Sequence, residues 1–226
     1  METREEEQMS LRRIMRGNPK GRTGWEHIKD WFSGEDETKK PRHPLKGRFN
    51  PLNIDLGQMV ELSTPQAKAY EVDGLLCFEP IGAGERATRY ELKGTRPPRV
   101  LEALSQGESG AELYTLYELV DEFELDEELI RVCREDDDLK HSLDEGDGAG
   151  EVEVTYLKDA NARARVLIHD TEGTSVGEVE GFYYTSESGD RFLTVEVWRA
   201  ERWMRFYVGR ELRASQIMSL GTGLKR

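Results

Sequence analysis

From about residue 49 onward, the chain alternates short apolar runs with polar, Gly-containing turns. Runs of this length and spacing are typical of antiparallel β-strands. They predict strands at residues 59–62, 69–78, 87–92, 100–104 and 113–119, and then at residues 152–157, 162–169, 177–185, 191–198, 203–208 and 217–220. We therefore expect a mainly β protein built from antiparallel strands.

The clearest hairpin lies near the C-terminus. Its first strand, residues 191–198, has apolar side chains at every second position, namely Leu193, Val195 and Val197. Side chains at alternate positions share one face of a strand. Residues 199–202 then form a four-residue loop. Glu196 points away from the apolar face, beside Trp198, and we expect its carboxylate to be half-exposed.

One short helix interrupts the strands. Apolar side chains at helical spacing share a face, namely Leu125, Leu129, Ile130 and Cys133. The acidic residues that open this stretch favour a helix N-terminus, so a helix is predicted at 125–132. Residues 135–150 are acidic and Gly-rich, which predicts a flexible linker or a long hairpin. We therefore expect two related small antiparallel β units, barrel- or sandwich-like, at 49–134 and 151–220, with the helix between them.

Residues 1–48 have the composition of a polar, largely disordered tail broken by Gly and Pro. A short amphipathic helix is predicted near 24–32, because Thr23 and Glu26 have the spacing of a capping box. Its apolar face comprises Trp25, Ile28, Trp31 and Phe32. So short a helix is marginal in water unless that face is buried. Two interpretations stay open: the helix docks on the protein's own body, or it contacts a protein partner or, less favourably, a membrane surface.

The charge distribution argues against nucleic-acid binding. The formal net charge is −13, with 12 basic and 9 acidic residues in 1–48 and 20 basic and 36 acidic residues after it. Nucleic acids are bound mainly through Lys and Arg, so an acidic body repels phosphate. A negative field favours cations, polyamines or a basic protein surface, and it also promotes solubility.

No catalytic set is recognisable. Residues 173–177 match the G-x-S-x-G pattern of hydrolases, but a Tyr-rich strand follows the serine and no histidine comes after His169. The glycines at 80–86 lack the rest of a phosphate-binding loop. The four His and two Cys have no metal-ligand spacing, and Cys77 and Cys133 lie in apolar contexts that predict buried thiols. We expect no catalytic residues, metal or cofactor.

The sequence also has no targeting or membrane signal. It contains no run of 18 apolar residues, and its first residues lack the apolar segment of a signal peptide. We therefore expect a cytoplasmic protein without a transmembrane segment.

Aromatic side chains concentrate around the last hairpin. Core packing and cross-strand pairing explain most of them. An exposed subset would form a cation-binding face together with neighbouring acids, because a cation is attracted to the face of an aromatic ring. The candidates for this ligand face are Tyr184, Glu196, Trp198 and Trp203.

Six segments carry a family resemblance: FNPLNIDLGQMVEL, ATRYEL, LYELVDEFELDEELI, VTYLKDANARARV, GFYYTSESGDRFLTVEVW and RFYVGRELRASQI. Together they resemble the bacterial domain of unknown function 4178 over about residues 49–220. The resemblance implies a β-rich domain without a known activity. Members tend to be encoded near phage-shock-type coiled-coil proteins, small membrane proteins and polyamine-synthesis enzymes. It assigns a role to no residue, and the tail at 1–48 lies outside it.

Two functional hypotheses follow. The first is a non-enzymatic binding or scaffolding protein in a bacterial envelope-stress or membrane-associated assembly, in which the helix near 24–32 contacts a protein partner. The second is a binder of, or an enzyme acting on, a small cationic ligand such as a polyamine. A purely structural spacer would have neither ligand nor partner. The sequence leaves the oligomeric state open.

Overall fold

The computed structural model describes residues 49–63, 68–82, 84–106, 111–144 and 151–222. The predicted helix near 24–32 lies outside the described residues, and with it Trp25, Ile28, Trp31 and Phe32. Within the described ranges, no helix has the length and apolar character needed to cross a membrane.

Eleven strands and one α-helix make up the described part of the chain, which confirms the mainly β prediction. The elements before residue 145 are β1 (Gln58–Leu62), β2 (Lys68–Pro80), β3 (Ala87–Leu92), β4 (Arg99–Gln106), β5 (Ala111–Glu124), α1 (Glu127–Glu135) and β6 (Asp138–Asp144). Those after it are β7 (Glu151–Asp170), β8 (Gly173–Ser186), β9 (Arg191–Trp198), β10 (Trp203–Leu212), a 3₁₀ turn (Ala214–Gln216) and β11 (Ile217–Thr222).

Eight of the strands form a closed antiparallel sheet. Their order around the ring is β2-β3-β4-β5-β10-β9-β8-β7, and pairing between β7 and β2 closes it. The β5–β10 and β2–β7 seams join strands from before and after residues 145–150. The strands of 49–134 and those of 151–220 therefore belong to one sheet. That these two segments are related units stays a prediction.

Two long strands extend beyond the ring. Residues 68–71 of β2 pair with β1, whereas residues 74–80 pair with β7. Likewise, residues 151–157 of β7 pair with β6, and residues 164–170 pair with β2. β1 pairs in turn with β11. The ring thus carries a two-stranded extension beside β2 and a one-stranded extension beside β7.

One ion pair identifies the inner face of the ring. Arg89 of β3 bonds Glu196 of β9, and these two strands stand opposite each other in the ring of eight. A contact between opposite strands must cross the interior. Because side chains alternate between the two faces of a strand, the residues two positions away from Arg89 and Glu196 also point inward.

The outer face of the ring is covered by two apolar cores. One lies against β1 and the preceding segment and includes Val60, Leu75, Cys77, Tyr90, Leu101 and Leu116. The other lies beneath α1 and β6 and includes Ile130, Cys133, Leu139, Phe182, Val195 and Phe206. Each core buries one cysteine, as the sequence predicts.

Helix α1 begins at a side-chain cap. The Asp126 carboxylate accepts hydrogen bonds from the backbone amides of Glu128 and Leu129 at 2.9 and 3.1 Å, which satisfies donors that have no partner within the helix. Leu129, Ile130 and Cys133 are buried against the sheet. The helical spacing read from the sequence therefore identifies the face that packs.

The structure corrects two predictions. Residues 138–144, inside the segment predicted as a flexible linker or a long hairpin, form β6, which pairs antiparallel with β7 as in the hairpin interpretation. Leu139 is buried in the outer core while Lys140 faces solvent. Residues 152–157 and 162–169 belong to one strand, β7, rather than to two. A β-bulge between Lys158 and Ala160 accommodates the polar segment without ending the pairing with β8.

Candidate functional site

The interior of the closed sheet contains charged side chains. Arg89, Glu102, Glu196 and Arg205 are buried there. Arg89 Nε donates to Glu102 Oε2 at 2.5 Å, and Arg89 Nη1 donates to Glu196 Oε1. A buried charge is costly unless it is paired and hydrogen-bonded. The two carboxylates meet that requirement for Arg89.

Aromatic rings complete the surroundings of Arg89. Its guanidinium carbon lies 4.8 Å from the ring centroid of Phe78, 5.2 Å from that of Tyr207 and 5.6 Å from that of Tyr117. Burial lowers the pKa of Arg89, but Glu196 and Glu102 raise it more, so its pKa lies well above the ordinary value. Arg89 therefore stays charged, with two anionic partners and three π-faces around it.

A second ion pair lies toward the other end of the interior. Arg205 Nε donates to Glu122 Oε1 at 2.8 Å, and the guanidinium carbon of Arg205 lies 5.6 Å from the ring centroid of Trp198. Trp198 Nε1 in turn donates to Glu196 Oε2 at 3.0 Å. Hydrogen bonds thus connect Glu102, Arg89, Glu196 and Trp198 along the interior, with the Arg205–Glu122 pair beside Trp198.

One carboxyl at that same end has a displaced pKa. Burial is the main cause of a pKa of about 8 for Glu91, the charges of Asp73 and Asp170 add to the rise, and Arg205 opposes it. The Glu91 carboxyl lies over Gly74, where a Cβ atom would come within 2.0 Å of Glu91 Oε2. Glu91 is therefore largely protonated at neutral pH.

Two inward-facing glycines make room for tyrosine rings. A Cβ atom at Gly209 would lie 2.4 Å from Tyr117 Cδ1, and one at Gly181 would lie 2.6 Å from the Tyr183 hydroxyl oxygen. Real Cβ atoms do not approach other atoms so closely. Glycine at these positions therefore allows both tyrosines to lie flat against the inner wall.

A cavity of about 470 Å³ occupies the end of the ring opposite Glu91. Its floor carries polar groups of inward-facing residues: Glu102, Thr115, Tyr117, Tyr183 and Thr194. Its wall is apolar and includes Phe78, Pro80, Ala87, Leu104, Ala162 and Phe192, while Glu85 and Asp159 stand at the mouth. A closed sheet of eight strands is just wide enough to be filled by side chains or to hold one small ligand.

The charged groups that line this cavity are all acidic. They are Glu85, Glu102 and Asp159, and no Lys, Arg or His is among the described lining residues. Glu102 is 7% exposed. Its Oε2 is bonded to Arg89, and within the described ranges no hydrogen bond reaches its Oε1. A carboxylate oxygen is therefore available at the floor of a cavity whose lining is mostly apolar.

The predicted ligand face is divided between the two sides of the sheet. Glu196, Trp198 and Trp203 belong to the inner side and none of them lines the cavity. Tyr184 borders the cavity, but its hydroxyl donates to the Cys133 carbonyl on the outer side at 3.2 Å. The expected half-exposure of Glu196 is wrong, since it is 1% exposed. The face of β9 that points away from the outer apolar core faces the interior of the closed sheet rather than solvent.

Sequence reasoning missed the cavity residues. Glu102 lies between Val100 and Leu104 on the inward side of β4, and Arg89 lies opposite it on β3. A charged side chain among apolar residues of a strand marks both positions as unusual. The pattern alone does not show that the faces carrying Arg89 and Glu102 line the interior of a closed sheet. The mouth residues Glu85 and Asp159 carry no local signal that separates them from other surface acids.

The comparisons with known proteins found no relative. No protein-family model matches the chain, and neither a search of curated proteins nor a search of solved structures returned a match. The resemblance to domain of unknown function 4178 therefore stays a prediction. Within the described ranges, no group of three or more His, Cys, Asp or Glu side chains has the geometry of a metal site.

Proposed function

We propose that this protein binds a small organic cation in the cavity at the end of its closed sheet. The observation that carries the proposal is the combination of an apolar cavity of about 470 Å³ with a buried carboxylate at its floor. Pockets for small molecules are typically concave and mostly apolar, with a few polar groups that fix orientation, and the mouths of closed β-sheets are among their usual places.

The balance of charge at the floor favours a cation. Arg89 is bonded to two carboxylates, those of Glu102 and Glu196, so this cluster carries one net negative charge. Glu102 is the member that lines the cavity. A cation that enters would add a second positive partner for these carboxylates, whereas an anion would be repelled. The low local dielectric strengthens both effects.

The floor also offers hydroxyl groups for orientation. Thr115, Tyr183 and Thr194 line it beside Glu102, and Thr194 donates a long hydrogen bond of 3.4 Å to the Tyr117 hydroxyl. An ammonium group has up to three donors, which a carboxylate oxygen and two hydroxyl oxygens can accept. We propose a binding role rather than catalysis, because the buried charges of the floor are held in ion pairs with each other.

Calorimetry with n-butylammonium and with neutral n-butanol tests the proposal. We expect heat of binding for the ammonium at 150 mM salt and none for the alcohol at the same concentration. If the ammonium gives heat at low salt but none at 150 mM, the attraction is only a screened interaction with surface charges, and the proposal is contradicted.

Two matched variants locate the binding. Ala162→Phe places an aromatic ring in the cavity and should abolish binding. Val176→Phe makes a similar change on the neighbouring strand β8, where the side chain is 62% exposed, and should bind as the unmodified protein does. If both variants bind the cation as tightly as the unmodified protein does, the binding site lies outside the cavity. Glu102→Gln is a poorer test, because it removes a buried partner of Arg89 and so destabilises the fold.

The alternative role as a scaffold for a protein partner rests on residues 24–32, which lie outside the described residues. Localisation in the cytoplasm and membership of an envelope-stress assembly likewise stay predictions.

A further inference from the structure

The carboxylates of the cavity stand at two depths. Glu102 lies at the floor and is 7% exposed, whereas Glu85 and Asp159 are exposed at the mouth. Asp159 accepts a hydrogen bond from the Thr185 hydroxyl, which fixes its position at the rim. One negative site is therefore deep and largely buried, and the other is shallow and exposed.

The wall between these two levels is apolar. It includes Phe78, Pro80, Ala87, Leu104 and Ala162. A ligand that reaches from the floor to the mouth must pass this wall, where a hydrocarbon chain is favoured and a polar group would lose its hydration without a hydrogen-bond partner.

The spacing can be estimated from the strands. Glu102 pairs directly with Arg89 across the β3–β4 ladder, and Glu85 lies four residues before Arg89. Four residues of extended chain span roughly 13 Å. Both side chains line the same cavity, and the hydrogen bonds of two ammonium groups take up part of this span, which leaves room for a chain of about four to six methylene groups between them.

We propose that the cavity selects a linear α,ω-diamine, with one ammonium group at Glu102 and the other between Glu85 and Asp159. This rests on the proposed function, since it assigns the ligand class to the same cavity. The inner ammonium contributes most of the affinity, because its contact with Glu102 is desolvated. The outer ammonium contributes selectivity for ligand length, because only a chain of the right length reaches both levels.

Calorimetry with a series of diamines tests the inference. The probes are the diamines from 1,3-diaminopropane to 1,8-diaminooctane and the monoamine of each length, at 150 mM salt. We expect the diamine to bind about tenfold more tightly than its monoamine at four to six carbons, with a smaller difference for shorter and longer chains.

A double variant at the mouth removes the second site. Glu85→Gln with Asp159→Asn should abolish the advantage of the diamine, so that diamine and monoamine bind this variant with equal affinity. Both positions are exposed, and the amide introduced by Asp159→Asn would keep an acceptor for the Thr185 hydroxyl. Glu124→Gln with Glu172→Gln is the matched control, because these are exposed acids outside the cavity lining. The control should retain the full advantage.

The outcomes separate the two proposals. If monoamine and diamine bind equally, or if the mouth variant keeps the advantage, the diamine inference is overturned and cation binding stands. If the mouth and control variants lose the advantage equally, the second ammonium responds to net charge and the inference is again overturned. If neither amine binds, the proposed function itself fails.

Discussion

At the scale of single residues, the unusual feature is how much charge the interior holds. Arg89 and Arg205 are each 2% exposed and are paired with acids on other strands. Removing one partner of such a pair leaves an uncompensated buried charge and is strongly destabilising. The charge of each interior side chain therefore depends on its partners. Arg89 is also paired with Glu196, so a ligand can share the Glu102 carboxylate without leaving Arg89 unpaired.

Glu91 makes the stability of the fold depend on pH. Its ordinary pKa is 4.5, and burial raises the pKa in the folded protein to about 8. Between these values the unfolded chain has lost the proton and the folded protein retains it. The free energy of unfolding therefore falls as pH rises through this window, by up to about 1.4 kcal/mol per pH unit from this one group. Above pH 8 this loss stops.

Glu91→Gln removes this contribution. We expect the difference in free energy of unfolding, variant minus unmodified protein, to increase from pH 5 to pH 8 in urea denaturation. Glu172→Gln, at an exposed turn, serves as the control and should show no such trend. A difference for Glu91→Gln that is constant over the whole range would contradict the assignment of the raised pKa to Glu91.

At the scale of elements, the sequence predicts what alternation and spacing determine. The hairpin β9–β10 has the loop at 199–202 that the alternation of Leu193 and Val195 indicates. β6 was missed because the buried Leu139 directly follows four acidic residues, 135–138. The continuity of β7 was missed because the polar residues of 158–161 interrupt the apolar alternation. Both misses concern strand segments whose own residues lack regular apolar alternation and that are held by pairing with β7 and β8.

The N-cap of α1 gives an element-level prediction. Asp126→Ala removes the acceptor for two backbone amides and should lower the free energy of unfolding by about 1 kcal/mol. Asp126→Asn keeps a side-chain oxygen at the same place and should retain most of the stability. Chemical denaturation of both variants checks this. Equal stability of the Ala and Asn variants would show that the cap does not stabilise the helix.

At the scale of the whole molecule, closure of the sheet creates the site. The amphipathic pattern predicts strands with two faces, but it does not show that β2 pairs with β7 and β5 with β10. Those two pairings close the sheet, so that one face of each of the eight strands is enclosed. The sequence therefore could not place Glu102 and Glu196 in a shared interior, because only the ring brings opposite strands within reach of each other.

The most direct test of cation binding is an NMR titration of the protein with n-butylammonium, followed through the backbone amides. We predict saturable shifts concentrated at the residues of the cavity floor, Glu102, Thr115, Tyr117, Tyr183 and Thr194. Shifts confined to exposed acids such as Glu124 and Glu172, or shifts that grow without saturating, would contradict cation binding inside the closed sheet.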